Sequence, residues 1–254
     1  MSSTSSIPKI ILILGAGPNV GAAVAKAFSA RGFKVASASR SPPKYTASSD
    51  DGAAVLHIPV DLARPETVPG VFERVRRELG GEPGVVVYNA ALFAPDPADP
   101  LSLFTPESIQ TYHDSQAVNA TSVLVSLHET VKAFRNLPAT SGDGGGLPSK
   151  TFIFTGNMLN VMTLKGMLNF GLGKTAPAYA IRHLVEQKIY AHDGVTFYYA
   201  DERTPEGMPV ANAISGEAAA VEYVKLAERT DQGPWLYTFV KDAGYKDFER
   251  PGRL

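Results

Sequence analysis

Three glycines, Gly15, Gly17 and Gly21, stand between an apolar run and a helical pattern of small residues. The run, 9–14, is unbroken and of strand length, which predicts a strand buried on both faces of a parallel sheet. Glycine permits a tight turn, and the N-terminus of the helix predicted over 20–30 offers free N–H groups and positive potential. The spacing predicts a pyrophosphate-binding loop for a dinucleotide. A well-packed turn between strand and helix is the alternative.

The residues after the second predicted strand, 33–38, indicate which dinucleotide would bind. A carboxylate about 20 residues beyond the glycine loop bonds the ribose 2′-hydroxyl of NAD, whereas an arginine pairs with the 2′-phosphate of NADP. Ser39, Arg40 and Ser41 occupy this place, and no Asp or Glu follows until Asp50. We therefore expect NADP(H) as the cofactor. The alternative for Arg40 is a solvated surface charge.

Strands and helices alternate along nearly the whole chain. This pattern predicts one α/β domain over 1–254 with a Rossmann-type, doubly wound, mostly parallel sheet of seven strands and helices on both faces. Residues 1–7 are expected to form a disordered tail. The predicted strands are 9–14, 33–38, 54–60, 85–88, 151–155, 195–199 and 236–240, and the predicted helices are 20–30, 65–79, 107–135 (as one helix or two), 167–190 and 217–229.

Composition excludes several classes of protein. The 254 residues carry 24 basic and 25 acidic side chains, a formal net charge of −1, which argues against a nucleic-acid partner. The absence of cysteine excludes disulfides, cysteine-ligated zinc and a cysteine nucleophile, and we expect no metal site. The apolar runs are too short to cross a membrane, and the polar start lacks the pattern of a secretory signal. We expect a cytoplasmic protein that acts on a small molecule.

Three further motifs follow the glycine loop in order. Asp61-Leu62 comes after the third predicted strand, Tyr88-Asn89-Ala90-Ala91 covers the end of the fourth, and Val118-Asn119 lies in a predicted helix. With the glycines, these motifs resemble the short-chain dehydrogenase/reductase family over essentially the whole chain. The family's glycine pattern is Thr-Gly-x-x-x-Gly-x-Gly, and here Leu14 replaces the threonine and Asn19 the middle glycine.

The resemblance implies roles for these positions. The pair at 61–62 would contact adenine, the segment after the fourth strand would line the cofactor, and Asn119 would support a proton relay. Two long helices, 107–135 and 167–190, resemble the pair through which the family forms dimers and tetramers, so we expect a homo-oligomer. The implied cofactor-binding residues are Gly15, Gly17, Asn19, Val20, Gly21, Ser39, Arg40, Ser41, Asp61, Leu62, Asn89, Ala90 and Lys174.

The family's catalytic Ser–Tyr–Lys set is altered in this chain. The lysine stands at Lys174, but Phe170 occupies the tyrosine position and Asn157 the serine position. In the family the tyrosine hydroxyl protonates the developing alkoxide, and phenylalanine has no proton to give. Lys174 would still bond the nicotinamide ribose, with a surface lysine as the alternative. Asn157 would donate a hydrogen bond to a substrate oxygen, with a turn or cap residue as the alternative.

The segment after the sixth predicted strand contains two acidic residues that could replace the missing tyrosine as a proton donor. The family's Pro-Gly is absent there, and Asp201 and Glu202 stand in its place, at the carboxyl edge of the sheet. Asp201 is our candidate for a substituted acid or for a group that holds a cationic substrate. The alternative is a solvated loop with an internal Asp–Arg pair. We take Lys174, Asn157, Asn119 and Asp201 as the candidate catalytic residues.

Three functions remain open from the sequence. The first is an NADP(H)-dependent oxidoreductase with a non-standard site, acting on a C=N bond or on an activated C=C or C=O bond of a small organic molecule. The second is a catalytically inactive NADPH-binding sensor. The third is a non-redox enzyme, such as a cyclase or isomerase, on the same fold.

Overall fold

The computed structural model describes residues 7–42, 55–138 and 149–248. Their strands form one sheet in the order β3-β2-β1-β4-β5-β6-β7-β8. The first seven strands are parallel, and β8 is antiparallel to β7. The strands are β1 Ile10–Leu14, β2 Lys34–Ser39, β3 Leu56–Pro59, β4 Val85–Tyr88, β5 Thr151–Thr155, β6 Thr196–Arg203, β7 Leu236–Val240 and β8 Gly244–Tyr245.

Helices cover both faces of the sheet, as the unbroken apolar strands require. Side chains alternate along β1, so Ile11 and Ile13 pack with α1 and α6, whereas Leu12 and Leu14 belong to the core beneath α2, α4 and α5. The predicted doubly wound α/β fold is confirmed. The helices are α1 Val20–Ser29, α2 Val68–Leu79, α3 Ile109–Gln116, α4 Ser122–Asn136, α5 Leu168–Glu186 and α6 Gly216–Ala227.

The structure corrects the strand count from seven to eight. The two residues of β8 are too few to give a hydrophobic pattern, and they return after a tight turn. Asp242 and Gly244 provide that turn with φ of 62° and 78°. The predicted tail, 1–7, lies outside the described residues except for Ile7.

Two other predicted bounds shift. The helix predicted over 167–190 ends at Glu186, and Lys188 then adopts a φ of 53° that an α-helix does not allow. The segment predicted over 107–135 consists of α3 and α4, joined by a π-helical turn, Ala117–Thr121. Within the described part of the chain, no helix has the length and apolar character needed to span a lipid bilayer.

The strand order reverses between β1 and β4, because β2 lies on one side of β1 and β4 on the other. In open parallel sheets, ligands bind in the crevice beyond the carboxyl ends of the strands at such a reversal. The glycine loop follows β1 at this edge, and the segment 89–100 follows β4 beside it. The topology therefore brings the sequence motifs to one edge of the sheet.

Candidate functional site

The three glycines of the loop serve different purposes. Gly15 has a φ of 89°, and a Cβ built there would lie 2.3 Å from the backbone nitrogen of Ala90. A Cβ on Gly21 would lie 2.8 Å from the backbone of Ala16, so both positions require glycine for packing. At Gly17 a Cβ would meet nothing within 4 Å. Of the three glycines, only Gly17 has open space at this position among the described residues.

The segment after β4 is hydrogen-bonded to the start of the glycine loop. The Nδ2 of Asn89 donates to the carbonyl oxygen of Gly15 at 2.8 Å, and the backbone N–H groups of Asn89 and Ala90 both donate to Leu14 O. Ala90 therefore lies against the turn, where the Cα of Gly15 leaves room for it. The contacts place Asn89 and Ala90 beside the glycine loop.

Asn19 makes a contact that the sequence did not reveal. Its Nδ2 donates to the carbonyl oxygen of Ile214 at 2.8 Å, and its Oδ1 accepts the N–H of Gly216 at 2.9 Å. A Cβ on Gly216 would lie 2.5 Å from Oδ1 of Asn19, so glycine is required at that position. Both polar atoms of the Asn19 side-chain amide thus bond the glycine loop to the N-terminus of α6. Val20, next in the chain, is buried at the start of α1.

The ends of β2 and β3 lie side by side at the expected nucleotide position. Ser39 Oγ donates to Ser41 O at 2.7 Å and lies 3.3 Å from Nε2 of His57, a neighbour that sequence reasoning missed. Arg40 is exposed and makes no ion pair with another residue of the described ranges. The exposed Asp61 accepts the N–H of Ala63 at 3.1 Å, next to the buried Leu62.

Lys174 is buried, although no acidic side chain of the described ranges forms a direct ion pair with it. Only 3% of the residue is exposed, and its Nζ donates to the carbonyl oxygen of Thr155 at 3.0 Å. The ammonium also lies 4.6 Å from the ring centroid of Phe154 and 5.4 Å from that of Phe170. Burial lowers the pKa of Lys174 to about 8, against an opposing effect of Asp201. A surface lysine, the alternative reading, is excluded.

Phe170 faces a second aromatic ring at the same edge of the sheet. Its ring centroid lies 5.6 Å from that of Phe93, and the two planes meet at 80°, an edge-to-face arrangement. Phe93 belongs to the segment after β4 and is half exposed, and Phe170 is partly exposed. Phe93 could not be found from the sequence, because an isolated aromatic residue in a loop has no pattern around it.

Asn157 acts as a cap. Its Oδ1 accepts the N–H of Leu159 at 3.1 Å, at the start of the 3₁₀ turn Met158–Asn160. Its backbone is held by Tyr199, whose hydroxyl donates to Asn157 O at 2.7 Å and accepts the N–H of Asn157 at 3.1 Å. Burial raises the pKa of Tyr199 well above its usual value, so this phenol stays protonated. The alternative of a turn or cap residue therefore describes the observed contacts of Asn157.

Asn119 lies in the π-helical turn between α3 and α4 and is fully buried. Its Nδ2 donates to the carbonyl oxygen of Leu92 at 2.7 Å, and its Oδ1 accepts the N–H of Leu92 at 3.0 Å. On its other side, a Cβ on Gly173 would lie 2.5 Å from the Cβ of Asn119, so α5 approaches closely. Asn119 thus fixes the segment after β4 against the helix that carries Lys174.

Asp201 does not lie in a solvated loop, and the expected position is corrected. β6 continues to Arg203 because it pairs with β7 along its whole second half, which places Asp201 inside the sheet with 1% exposure. The carboxylate pairs with the buried guanidinium of Arg203. Burial raises the pKa of Asp201 to about 6, opposed by Arg203 and Lys174. The internal Asp–Arg pair of the alternative reading is present, but it is buried.

The fold and the edge described above are those of doubly wound, dinucleotide-binding α/β proteins. The family model described as short chain dehydrogenase matches residues 9–145. The short chain dehydrogenase/reductase dmxR12 of Cryptosporiopsis sp. (strain 8999) is 39% identical over 251 residues, which cover 94% of each chain. The chain belongs to the short-chain dehydrogenase/reductase family, a family of oxidoreductases.

Solved structures share the fold at low sequence identity. The NADH-dependent reductase A1-R′ responsible for alginate metabolism is similar with a TM-score of 0.73 and 18% identity, covering 93% of this chain and 97% of its own. The NADPH-dependent 3-quinuclidinone reductase from Rhodotorula rubra has a TM-score of 0.70 and 19% identity, with 94% and 91% covered. One nucleotide is NADH and the other NADPH, so these two proteins do not distinguish the cofactors.

Proposed function

We propose that the protein is an NADP(H)-dependent oxidoreductase with a non-standard active site, acting on a small organic molecule. The observation that carries this proposal is the pairing of a ligand-accessible glycine loop with a buried lysine at one edge of the sheet. Gly17 leaves the loop open, and Lys174 keeps two of its three donor positions unused in its contacts with the described residues. We propose that residues 1–254 form a single dinucleotide-binding domain.

The residues at this edge fit a dinucleotide. The N-cap residue, Asn19, makes no side-chain hydrogen bond to the first turn of α1, so within the described part of the chain the N–H groups of Val20 and Gly21 are available to a pyrophosphate. Gly15, Asn19 and Asn89 would hold the loop in shape rather than contact the phosphates. Lys174 would donate to the nicotinamide ribose, and Ala90 would line the cofactor. A bound dihydronicotinamide supplies a hydride for reduction.

The residues that would face the adenosine end of the cofactor favour NADP over NAD. The exposed guanidinium of Arg40 can pair with a 2′-phosphate, and the hydroxyl of the exposed Ser41 can donate to it, whereas Ser39, whose hydroxyl donates to Ser41 O, would position this segment. Asp61 and Leu62 would contact the adenine. His57 adds a further polar group within 3.3 Å of Ser39 Oγ. The two reductases named above use different nucleotides, so the proposal rests on this chain's own residues.

The catalytic groups differ from the family's set. Lys174 would orient the cofactor and supply positive charge, Asn157 would contribute a hydrogen bond through its Nδ2, and Asn119 would act as a positioning residue. Asp201, which is paired with Arg203, is proposed to favour the protonated form of Lys174 from a distance rather than to act as an acid. Because Phe170 offers no proton, a C=N bond or an activated C=C or C=O bond suits this site better than a simple ketone.

Turnover with a panel of acceptors tests the proposal. Loss of NADPH absorbance is followed with an enone, a quinone, an imine and an aliphatic ketone, using the wild-type chain and Lys174→Met. We expect oxidation with at least one activated acceptor and its loss in the variant. Tight binding of NADPH with no oxidation by any acceptor would contradict an oxidoreductase.

The contacts of Phe170 and Asn157 also favour a second candidate, an NADPH-binding sensor or a non-redox cyclase or isomerase. Neither residue can transfer a proton, and Asn157 is occupied as a cap. The variant Phe170→Tyr separates the candidates. If it creates reduction of simple ketones where the wild type turns over no acceptor, the native protein is a sensor or non-redox enzyme. If the wild type converts its substrate without oxidising NADPH, the non-redox enzyme is favoured.

We further propose that the protein is a cytoplasmic homo-oligomer assembled through the outer surfaces of α4 and α5. Leu124, Leu172 and Tyr179 expose large apolar surfaces on these two helices. Exposed apolar side chains on neighbouring elements are typical of a protein–protein interface.

A further inference from the structure

Two aromatic side chains near Lys174 are exposed to solvent, although aromatic rings are usually buried in the core. Phe93 is 53% exposed, and it meets the partly exposed Phe170 edge to face at 5.6 Å. Val161 and Leu164, in the segment that leads into α5, are also exposed. Exposed apolar groups rimmed by polar ones mark ligand-binding surfaces. This aromatic pair, Phe93 and Phe170, is therefore a candidate binding surface for an apolar or aromatic ligand.

The backbone on both sides of Phe93 is fixed. Leu92 is held through its N–H and its carbonyl by the side chain of Asn119. Asp96 accepts the N–H groups of Leu168 and Asn169 at 2.6 and 3.0 Å, which ties the same segment to the first turn of α5. Phe170 lies in that first turn. The two rings thus stand on backbone segments that are bonded to each other, and their arrangement is preformed.

The charge beneath the pair is positive. Lys174 lies under Phe170, and the buried ion pair of Asp201 and Arg203 adds no net charge when both are ionised. A buried ammonium disfavours a substrate that arrives as a cation, such as an iminium, and favours one whose reduction places negative charge on an oxygen. Phe170 already offers a ring face to Lys174, which leaves less of it for a cationic ligand.

We propose that Phe93 and Phe170 form a subsite for the planar ring of a conjugated, quinone-like carbonyl substrate, with Lys174 favouring the oxygen anion of its product. This inference rests on the proposed oxidoreductase function and narrows its substrate class. Hydride addition to such an acceptor moves a π electron pair onto a carbonyl oxygen and yields a phenolate or enolate. That delocalised anion takes its proton from water, so the absence of a hydroxyl at Phe170 does not obstruct the reaction.

Binding to the full chain tests the subsite without any turnover. Calorimetric titration compares 2-naphthol with cyclohexanol, with and without NADP⁺. We expect naphthol to bind at least about tenfold more tightly, and Phe93→Leu or Phe170→Leu to weaken it about three- to tenfold, the range for loss of an aromatic pair. Phe33→Leu is the matched control, because Phe33 and Phe28 form an edge-to-face pair at 5.1 Å before β2, at the opposite edge of the sheet.

Equal binding of the two alcohols, or equal loss in Phe33→Leu, would overturn the subsite. Thermal unfolding of each variant verifies that it is folded, and Phe93, being half exposed, is the substitution least able to disturb the core. If Phe93→Leu is unfolded, the naphthol affinity of Phe170→Leu is compared with those of the wild type and Phe33→Leu instead.

Turnover then separates this inference from the proposed function. Anaerobic NADPH oxidation is compared for 1,4-naphthoquinone, for a planar N-methyl-3,4-dihydroisoquinolinium and for cyclohexanone. We expect the quinone to react fastest. Faster reaction of the iminium or of cyclohexanone overturns the substrate class while the oxidoreductase stands. Naphthol binding that depends on Phe93, without oxidation by any acceptor, keeps the ring subsite and overturns the oxidoreductase.

Discussion

Lys174, which we propose to contact the cofactor, carries a cost to stability. Its ammonium is removed from water and receives one hydrogen bond partner, the carbonyl of Thr155, with two aromatic rings nearby. Removal of a charge from water is unfavourable unless it is fully paired, which is why burial lowers the pKa of Lys174 to about 8. Titratable groups with such perturbed pKa values are concentrated at functional sites, which supports the proposed role of Lys174.

The first prediction concerns this cost. Below pH 8 the lysine is protonated in both the folded and the unfolded state, so the full penalty applies. Between pH 8 and the ordinary lysine pKa, the folded state loses its proton first, and stability rises with pH. Lys174→Met should therefore raise the free energy of unfolding at pH 7 by about 2 kcal/mol, and the gain should shrink as the pH rises above 8. Urea unfolding at several pH values measures both effects.

Lys165→Met, a substitution of an exposed lysine, is the control for this first prediction. A destabilised Lys174→Met at pH 7, or a gain that does not change with pH, would contradict the account of the buried ammonium.

The second prediction contrasts two glycines of one loop. Gly15→Ala places a Cβ at a φ of 89° and 2.3 Å from Ala90 N, so it should lower the free energy of unfolding by about 2–4 kcal/mol. Gly17→Ala meets no atom and should change stability by less than about 1 kcal/mol, yet it should weaken NADPH binding because the ligand approaches there. Denaturant unfolding and nucleotide titration measure the two effects. Unchanged NADPH affinity in Gly17→Ala would count against the loop as the phosphate site.

At the scale of elements, a side chain of the glycine loop contributes two of the hydrogen bonds that hold the start of α6. Asn19 satisfies both the carbonyl of Ile214 and the N–H of Gly216, and Ser215 caps the same helix by accepting the N–H of Ala218. The N–H of Ser215 is itself accepted by Glu202 of β6. The helix start is therefore bonded to both neighbours.

The third prediction follows from this arrangement. Asn19→Gly, which restores the family's residue, removes two hydrogen bonds and should lower the free energy of unfolding by about 1–2 kcal/mol. Hydrogen exchange of the first turn of α6 should accelerate. Asn212→Gly, at an exposed asparagine of the preceding 3₁₀ turn, is the control. A neutral or stabilising Asn19→Gly would show that the family residue is equally good here.

The strands were predictable where hydrophobicity is continuous, because burial on both faces leaves an unbroken apolar run, as in β1 and β4. The end of β6 could not be predicted, since Asp201 and Arg203 are charged and sequence patterns assign such residues to the surface. Pairing with β7 and the bond between their own side chains allow both to be buried. Local pattern could not anticipate a partner strand that lies more than thirty residues later.

At the scale of the whole molecule, the sequence motifs predicted which edge of the sheet carries the candidate site, but not the contacts made there. Gly15, Asn89 and Lys174 lie at the expected edge because parallel strands bring their carboxyl ends together. The contacts between distant segments, such as Asn19 with α6 and Phe93 with Phe170, could not be predicted. Their partners are defined only by the folded chain, and a single side chain carries no periodic signal.

The fourth prediction concerns assembly. Tyr179 is 72% exposed on α5 and stacks only on His183 of its own helix, at 6.4 Å between ring centroids, among the residues described. If α4 and α5 form the subunit interface, Tyr179→Glu should convert a dimer or tetramer to smaller species in light-scattering chromatography, because a buried unpaired charge is unfavourable. Val221→Glu, at an exposed position of α6, should leave the mass unchanged. A monomeric wild-type protein would contradict the proposed homo-oligomer.

We propose that the glycine loop and the end of β2 bind NADP(H). The most direct test of this proposal is calorimetric measurement of the dissociation constants of NADPH and NADH with the wild-type chain and with Arg40→Ala. The account predicts that NADPH binds at least about tenfold more tightly than NADH, and that Arg40→Ala removes most of this difference through loss of charge-assisted hydrogen bonds to the 2′-phosphate. Equal or tighter binding of NADH, or no binding of either nucleotide, would contradict it.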